Sequence, residues 1–140
     1  MIIKKYNDIF CIRLIHEDNF LQKLTEFIQK NNLKNALLIN GVGMLKNAVI
    51  GYFKDGNYIK DKIEEPAELV STNGNMFYNP QNEIEWHIHV ALAKKSHKMV
   101  GGHLFEGKVW NTAEIFIQSI PDAEFYRAPD ENGDLRLNFR

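Results

Sequence analysis

The residues of this 140-residue chain that could carry chemistry are few: five histidines, one cysteine and a set of carboxylates balanced by basic residues. Two histidines fall one residue apart in Trp86-His87-Ile88-His89-Val90-Ala91-Leu92, where apolar and polar positions alternate. On a strand this sends Trp86, Ile88, Val90 and Leu92 to one face and His87, His89 and Ala91 to the other. A polar turn, Lys94-Lys95-Ser96-His97-Lys98, then leads into Met99-Val100-Gly101-Gly102-His103-Leu104-Phe105, so the two segments predict an antiparallel hairpin. Centring the turn on Ser96 places His89 opposite His103; a register moved by two places His87 there instead. Both registers gather His103 with the other two histidines and keep Val100 and Leu104 with Ile88 and Val90, whereas a shift of one would mix the faces.

Three neutral imidazoles from adjacent strands, with opposed Cβ atoms ~5 Å apart, can supply three ligands to a zinc-type ion. The fourth position is then open to water, a carboxylate or a small-molecule ligand. Imidazole also suits nickel, copper, iron and cobalt, so the donor set defines a divalent transition metal more firmly than zinc. The competing reading of such histidines is an ordinary solvated strand face. Glu114, in Thr112-Ala113-Glu114-Ile115, is a charge inside an apolar stretch and has three open roles: fourth ligand, partner fixing a histidine tautomer, or outward-facing carboxylate. Glu106 lies three residues after His103 and faces away on a regular strand. His97 in the turn, and His16 beside Glu17 and Asp18, read as solvated polar residues. Gly101-Gly102 keep side-chain bulk from the cluster, and Gly41-Val42-Gly43 marks a bulge or close backbone approach. The latter lacks the third glycine and following helix of a dinucleotide fingerprint. Ser71, Ser96 and Ser119 have no nucleophile-elbow context, which argues against acyl-enzyme chemistry.

The elements that must position these residues are mostly strands. Residues 8–15 alternate as a strand, after which the period changes: Phe20, Leu21, Leu24, Phe27 and Ile28 share one helical face over residues 19–31, with Asp18 or Asn19 as cap. Beyond it the sequence predicts strands at Ala36–Gly43, Ala48–Phe53, Glu68–Tyr78, Ile84–Ala93, Met99–Glu106 and Lys108–Ile120, with a last short one at Leu135–Phe139 after a turn from Ala128 to Asp134. One principal helix packed on a mostly antiparallel sheet is an α+β domain, here a single domain over residues 1–140. A hydrophobic content of 44% and a charged content of 25% are those of a globular chain with a core. The lone Cys11 can form no internal disulfide and no cysteine-based zinc cluster, which points to a reducing, cytoplasmic setting. No signal-peptide pattern and no apolar run of membrane-spanning length is found, so no membrane partner is expected. The net charge of −1 offers no general attraction to phosphate backbones.

Several of these segments together resemble the PPC (plants and prokaryotes conserved) domain family: Gly41-Val42-Gly43-Met44-Leu45 with Ala48 and Gly51-Tyr52, Glu68 to Asn75, His87-Ile88-His89-Val90, Gly101-Gly102-His103-Leu104, and Gly107-Lys108-Val109 with Thr112-Ala113-Glu114-Ile115. The likeness spans residues 8–139. Arg13 and Glu17 fit the family's early Arg…Gly-Glu pattern, with His16 in place of the glycine. The resemblance implies an α+β fold, a homotrimer, and His87, His89 and His103 as the zinc ligands of the prokaryotic members. Plant members join the domain to AT-hooks that carry Arg-Gly-Arg into the minor groove; neither that motif nor the plant Gly-Arg-Phe-Glu-Ile-Leu motif is present here. A cupin, the other HxH resemblance, needs a glutamate where Lys94 and Lys95 stand. The sequence therefore predicts a trimeric metal-binding PPC-type protein, with a small-molecule ligand or hydrolytic chemistry at the open metal position and its status as an enzyme undecided. The alternative is a DNA-associated or transcription-regulatory module with structural histidines.

Overall fold

Asn19 opens the helix. In the computed structural model, which describes residues 1–140, α1 runs Phe20–Lys30 and buries Phe20, Leu24, Phe27 and Ile28. The Gln22 backbone N–H donates to Asn19 Oδ1 at 3.1 Å, satisfying one of the donors that the first turn leaves free. Lys30 in the last turn suits the negative end of the helix dipole.

Seven antiparallel strands form the main sheet: β1 (Ile2–Tyr6), β2 (Ile9–Ile15), β3 (Ala36–Lys54), β4 (Asn57–Ile63), β5 (Ala67–Tyr78), β6 (Ile84–Ala93) and β7 (Met99–Gln118). Their order is β1-β2-β7-β6-β5-β3-β4, and β7 also pairs with β3, so β3, β5, β6 and β7 close into a ring. A separate hairpin of β8 (Phe125–Pro129) and β9 (Leu135–Phe139) completes the chain. This is the α+β architecture that the sequence predicts.

Its strands are longer than the sequence suggests. The expected breaks between Gly43 and Ala48 and between Glu106 and Lys108 do not occur; β3 and β7 run through them for 19 and 20 residues. The two strands pair with each other along much of their length, with register shifts at Leu38/Asn40, Gly43/Leu45, Lys46/Val49 and Val49/Ile50. Bulges of this kind bend a strand without ending it. Gly43 sits at one, where a Cβ would collide with the Thr112 carbonyl oxygen. The edge strands β1 and β4 escape the alternation argument because they are exposed on both faces for most of their length. Charged edge positions such as Lys60, Asp61 and Lys62 suit strands that must not pair further.

The core joins Phe10, Ile12 and Leu14 of β2 to the buried helix residues and to the inward positions of β6 and β7. Phe27 meets Phe10 edge-on, with ring centroids 5.0 Å apart. Trp86 Nε1–H donates to Thr25 Oγ1 at 3.1 Å, tying the helix to β6. Because Ile88, Val90 and Leu92 fill this core, the period of two leaves His87 and His89 on the opposite face. On that outer face lies the terminal hairpin, with the Arg127 guanidinium 4.8 Å from the Phe77 ring centroid. Buried Asn35 fixes the approach to the hairpin: its Nδ2 donates to the carbonyls of Ile120 and Ala123, and its Oδ1 accepts from the Ile120 N–H. No helix is long and apolar enough to cross a membrane.

Leu24 is fully buried between helix and sheet, so Leu24→Ala should cost about 2–5 kcal/mol of unfolding free energy. Asn19→Ala should cost about 1 kcal/mol. Urea denaturation followed by circular dichroism checks both.

Candidate metal centre

The hairpin of β6 and β7 adopts the register centred on Ser96: His89 lies opposite His103, Val90 opposite Gly102, Leu92 opposite Val100 and Ala93 opposite Met99. His97 turns the chain at φ 63°. After His103, β7 leaves β6 and continues beside β3, with Gly51 opposite His103. His103 thus occupies the place where β7 changes partners. A Cβ on Gly51 would come within 2.5 Å of the Phe105 ring and 2.9 Å of Tyr58. Its absence lets both rings close around the imidazole, at centroid distances of 5.1 Å from Tyr58 and 4.6 Å from Phe105. Lys60 Nζ lies over the Phe105 ring, 3.9 Å from its centroid.

The ligating atoms of His87, His89 and His103 all lie within 4.8 Å of one another. His87 Nε2 and His89 Nε2 are 3.2 Å apart. Tetrahedral zinc with Zn–N bonds of 2.0–2.1 Å separates its donors by about 3.3 Å, so this pair already stands at ligand spacing and the third needs only a side-chain adjustment. His103 Nδ1 is buried without a hydrogen-bond partner, a state that costs about 1–3 kcal/mol. The donor set and this orphaned nitrogen fit a divalent transition metal. Electrostatics act in the same direction. Burial, followed by the charges of His87, His89, Arg127 and Lys60, brings the His103 pKa down to about 4. Burial, then Arg127 and His89, lowers that of His87. Imidazoles held neutral are ready to ligate.

The remaining sequence candidates lie elsewhere. Glu114 is eleven residues beyond His103 on β7, exposed, opposite Arg13 and Val42. No carboxylate belongs to the histidine cluster, so of its three open roles Glu114 takes that of an outward-facing carboxylate. Glu106 is exposed opposite Val49. His16 Nδ1 accepts from the Asn111 N–H at 3.1 Å and its ring packs on Trp110. Cys11 is an unpaired, half-buried thiol.

Sequence reasoning missed Arg127, Tyr58 and Lys60. Arg127 Nη2 donates to His87 Nδ1 at 2.8 Å, and Asn75, directly opposite His87 on β5, leaves its Oδ1 buried without a partner. No spacing rule connects these positions to the histidines; they arrive through β4, β5 and β8. Asn75 alone falls in a segment that the sequence marks out, the predicted strand Glu68–Tyr78, whose pairing with the histidine strand the structure supplies.

The model of the Plants and Prokaryotes Conserved (PCC) domain, the family also abbreviated PPC, matches residues 1–121. The chain belongs to this family. Among solved structures, a PPC protein from Pyrococcus horikoshii is 30% identical, with a TM-score of 0.84 over 97% of this chain and 92% of that one. A metal-containing protein from Archaeoglobus fulgidus is 28% identical, with a TM-score of 0.81 over 96% of each chain. A candidate DNA-binding protein from Ralstonia eutropha shares the PPC fold at 19% identity, with a TM-score of 0.87 over 97% of this chain and 94% of that one. No curated protein matches the sequence. The family match ends before the terminal hairpin, so Arg127 lies beyond it.

With a folded pKa near 4 against an ordinary 6.5 for His103, the unfolded chain takes up a proton in that window and the folded chain does not. Stability of the metal-free protein should therefore be full above pH 6.5 and fall as the pH drops from about 6.5 through 4. Urea midpoints measured in chelator across this range check it, and His103→Gln should flatten the profile.

Proposed function

We propose that this chain is a cytoplasmic, homotrimeric PPC-domain protein that binds one divalent transition metal, zinc first, through His87, His89 and His103. The observation that carries the reading is the convergence of three ligating nitrogens within 4.8 Å, drawn from two paired strands. The metal-containing Archaeoglobus relative, at 28% identity, supports it. Three imidazoles leave a coordination position free, where a bound zinc would lower the pKa of water and act as a Lewis acid. The chain places no carboxylate in the cluster to serve as a base. The reading is accordingly a metal site open to a small ligand, with hydrolysis or hydration as the natural class if it turns over.

The trimer is supported by the outer face of the sheet beside β2. Ile2 and Tyr6 of β1, Ile9 and Ile15 of β2, Val42 of β3 and Phe116 of β7 are exposed there. Exposed apolar side chains gathered on one face, interspersed with Lys4, Arg13 and Glu114, suit a subunit interface with a mixed apolar and charged surface. The cytoplasmic placement rests on the unpaired thiol of Cys11. A DNA-associated role has weaker support: the Ralstonia structure, at 19% identity, carries the fold alone, and the net charge of −1 gives no general attraction to phosphate backbones.

Elemental analysis of protein purified without added metal should find about one ion per chain, lost in His89→Ala and His103→Ala; metal-free wild-type protein that also fails to take up zinc would overturn the reading. Sedimentation equilibrium should give three times the 16.3 kDa chain mass, with Phe116→Glu shifting it toward the monomer. A gel shift at physiological salt should show no retarded DNA.

A further inference from the structure

We infer that the ligand completing the metal site is a small carboxylate, recognised by Arg127; the inference rests on the metal reading above. Arg127 is half-buried, stacked over Phe77 at 4.8 Å, and no carboxylate lies within ion-pair distance of it. Glu85, which lies opposite Phe77 across β5 and β6, instead accepts from Asn79 Nδ2 at 2.9 Å. The guanidinium spends its polar contact on His87 Nδ1, at 2.8 Å.

That contact cannot survive metal binding. A guanidinium has only donors, so His87 Nδ1 must offer its lone pair to Arg127, and the proton of the neutral ring then sits on Nε2. A metal on Nδ1 takes the lone pair that Arg127 uses. A metal on Nε2 moves the ring proton to Nδ1, where it faces another donor. Whichever nitrogen ligates, Arg127 is released from His87 while its anchorage on β8 and Phe77 keeps it beside the site.

The freed group then has only the longer-range attraction of Glu85 and no ion-pair partner, which leaves it open to an anionic ligand. Lys60 places a second cation over Phe105, next to His103, and the cluster itself holds no carboxylate. A divalent ion beside a half-buried guanidinium, with the exposed Lys60 ammonium adding positive charge nearby, selects an anionic ligand. The planar fork of Arg127 matches a carboxylate through two parallel hydrogen bonds. Metal and carboxylate therefore bind cooperatively, because the metal frees the residue that receives the carboxylate.

Calorimetric zinc titrations of the full chain, in chloride and in chloride with acetate, test this. Acetate should tighten zinc binding to the wild type by at least about fivefold, after correction for zinc–acetate binding in solution. It should leave Arg127→Gln unchanged, and in chloride alone that variant should bind zinc at least as tightly as the wild type. Arg127→Lys, which keeps the charge without the fork, should lose most of the acetate effect and guards against a misfolded glutamine variant. Equal acetate effects in all three proteins, or none in the wild type, overturn the carboxylate inference while the metal reading stands. Absence of zinc binding from every protein overturns both.

Discussion

The pairing of His89 with His103 across β6 and β7 is the constraint on which the site depends. Because side chains alternate with a period of two, the register that buries Ile88, Val90 and Leu104 in the core also places the three imidazoles together outside it. The free energy that holds the histidines in place is thus largely apolar and lies on the other side of the sheet. No residue of the cluster has to contribute to stability for the cluster to exist. One of them, with its Nδ1 buried and unpartnered, works against it.

That division explains what could be read from the chain. Alternation in Trp86–Leu92 and the polar turn around Ser96 are local, and they were enough to assign faces and narrow the register to two. The helix was equally accessible, since Phe20, Leu24, Phe27 and Ile28 repeat on one side and Asn19 can cap them. The bends in β3 and β7 were not. A bulge looks like a strand end to any argument based on period, and only pairing between the two long strands shows that the chain continues through it. Edge strands failed for a related reason: β4 buries only Ile63, so it has no apolar face to alternate.

The surroundings of the histidines lay further from view. Tyr58, Lys60 and Arg127 come from β4 and β8, elements with weak patterns of their own, and they meet the cluster only because Gly51 leaves room for the aromatic rings and Asn35 fixes the start of the terminal hairpin. Glu114 shows the opposite limit. A charge in an apolar run attracts attention, yet its place opposite Arg13 gives it a role on the exposed face and none among the histidines.

β7 has a further consequence. One uninterrupted strand carries His103 near its first end and Phe116 near its last, with the backbone of β3 alongside both. Hydrogen-bonded strands do not slide by fractions of a residue, so the two ends keep a fixed relation to each other through the bends between them. Anything that seats itself against the outer face at Phe116 inherits a fixed orientation toward the imidazoles, and separate copies docked there would present their histidines at identical, predetermined angles.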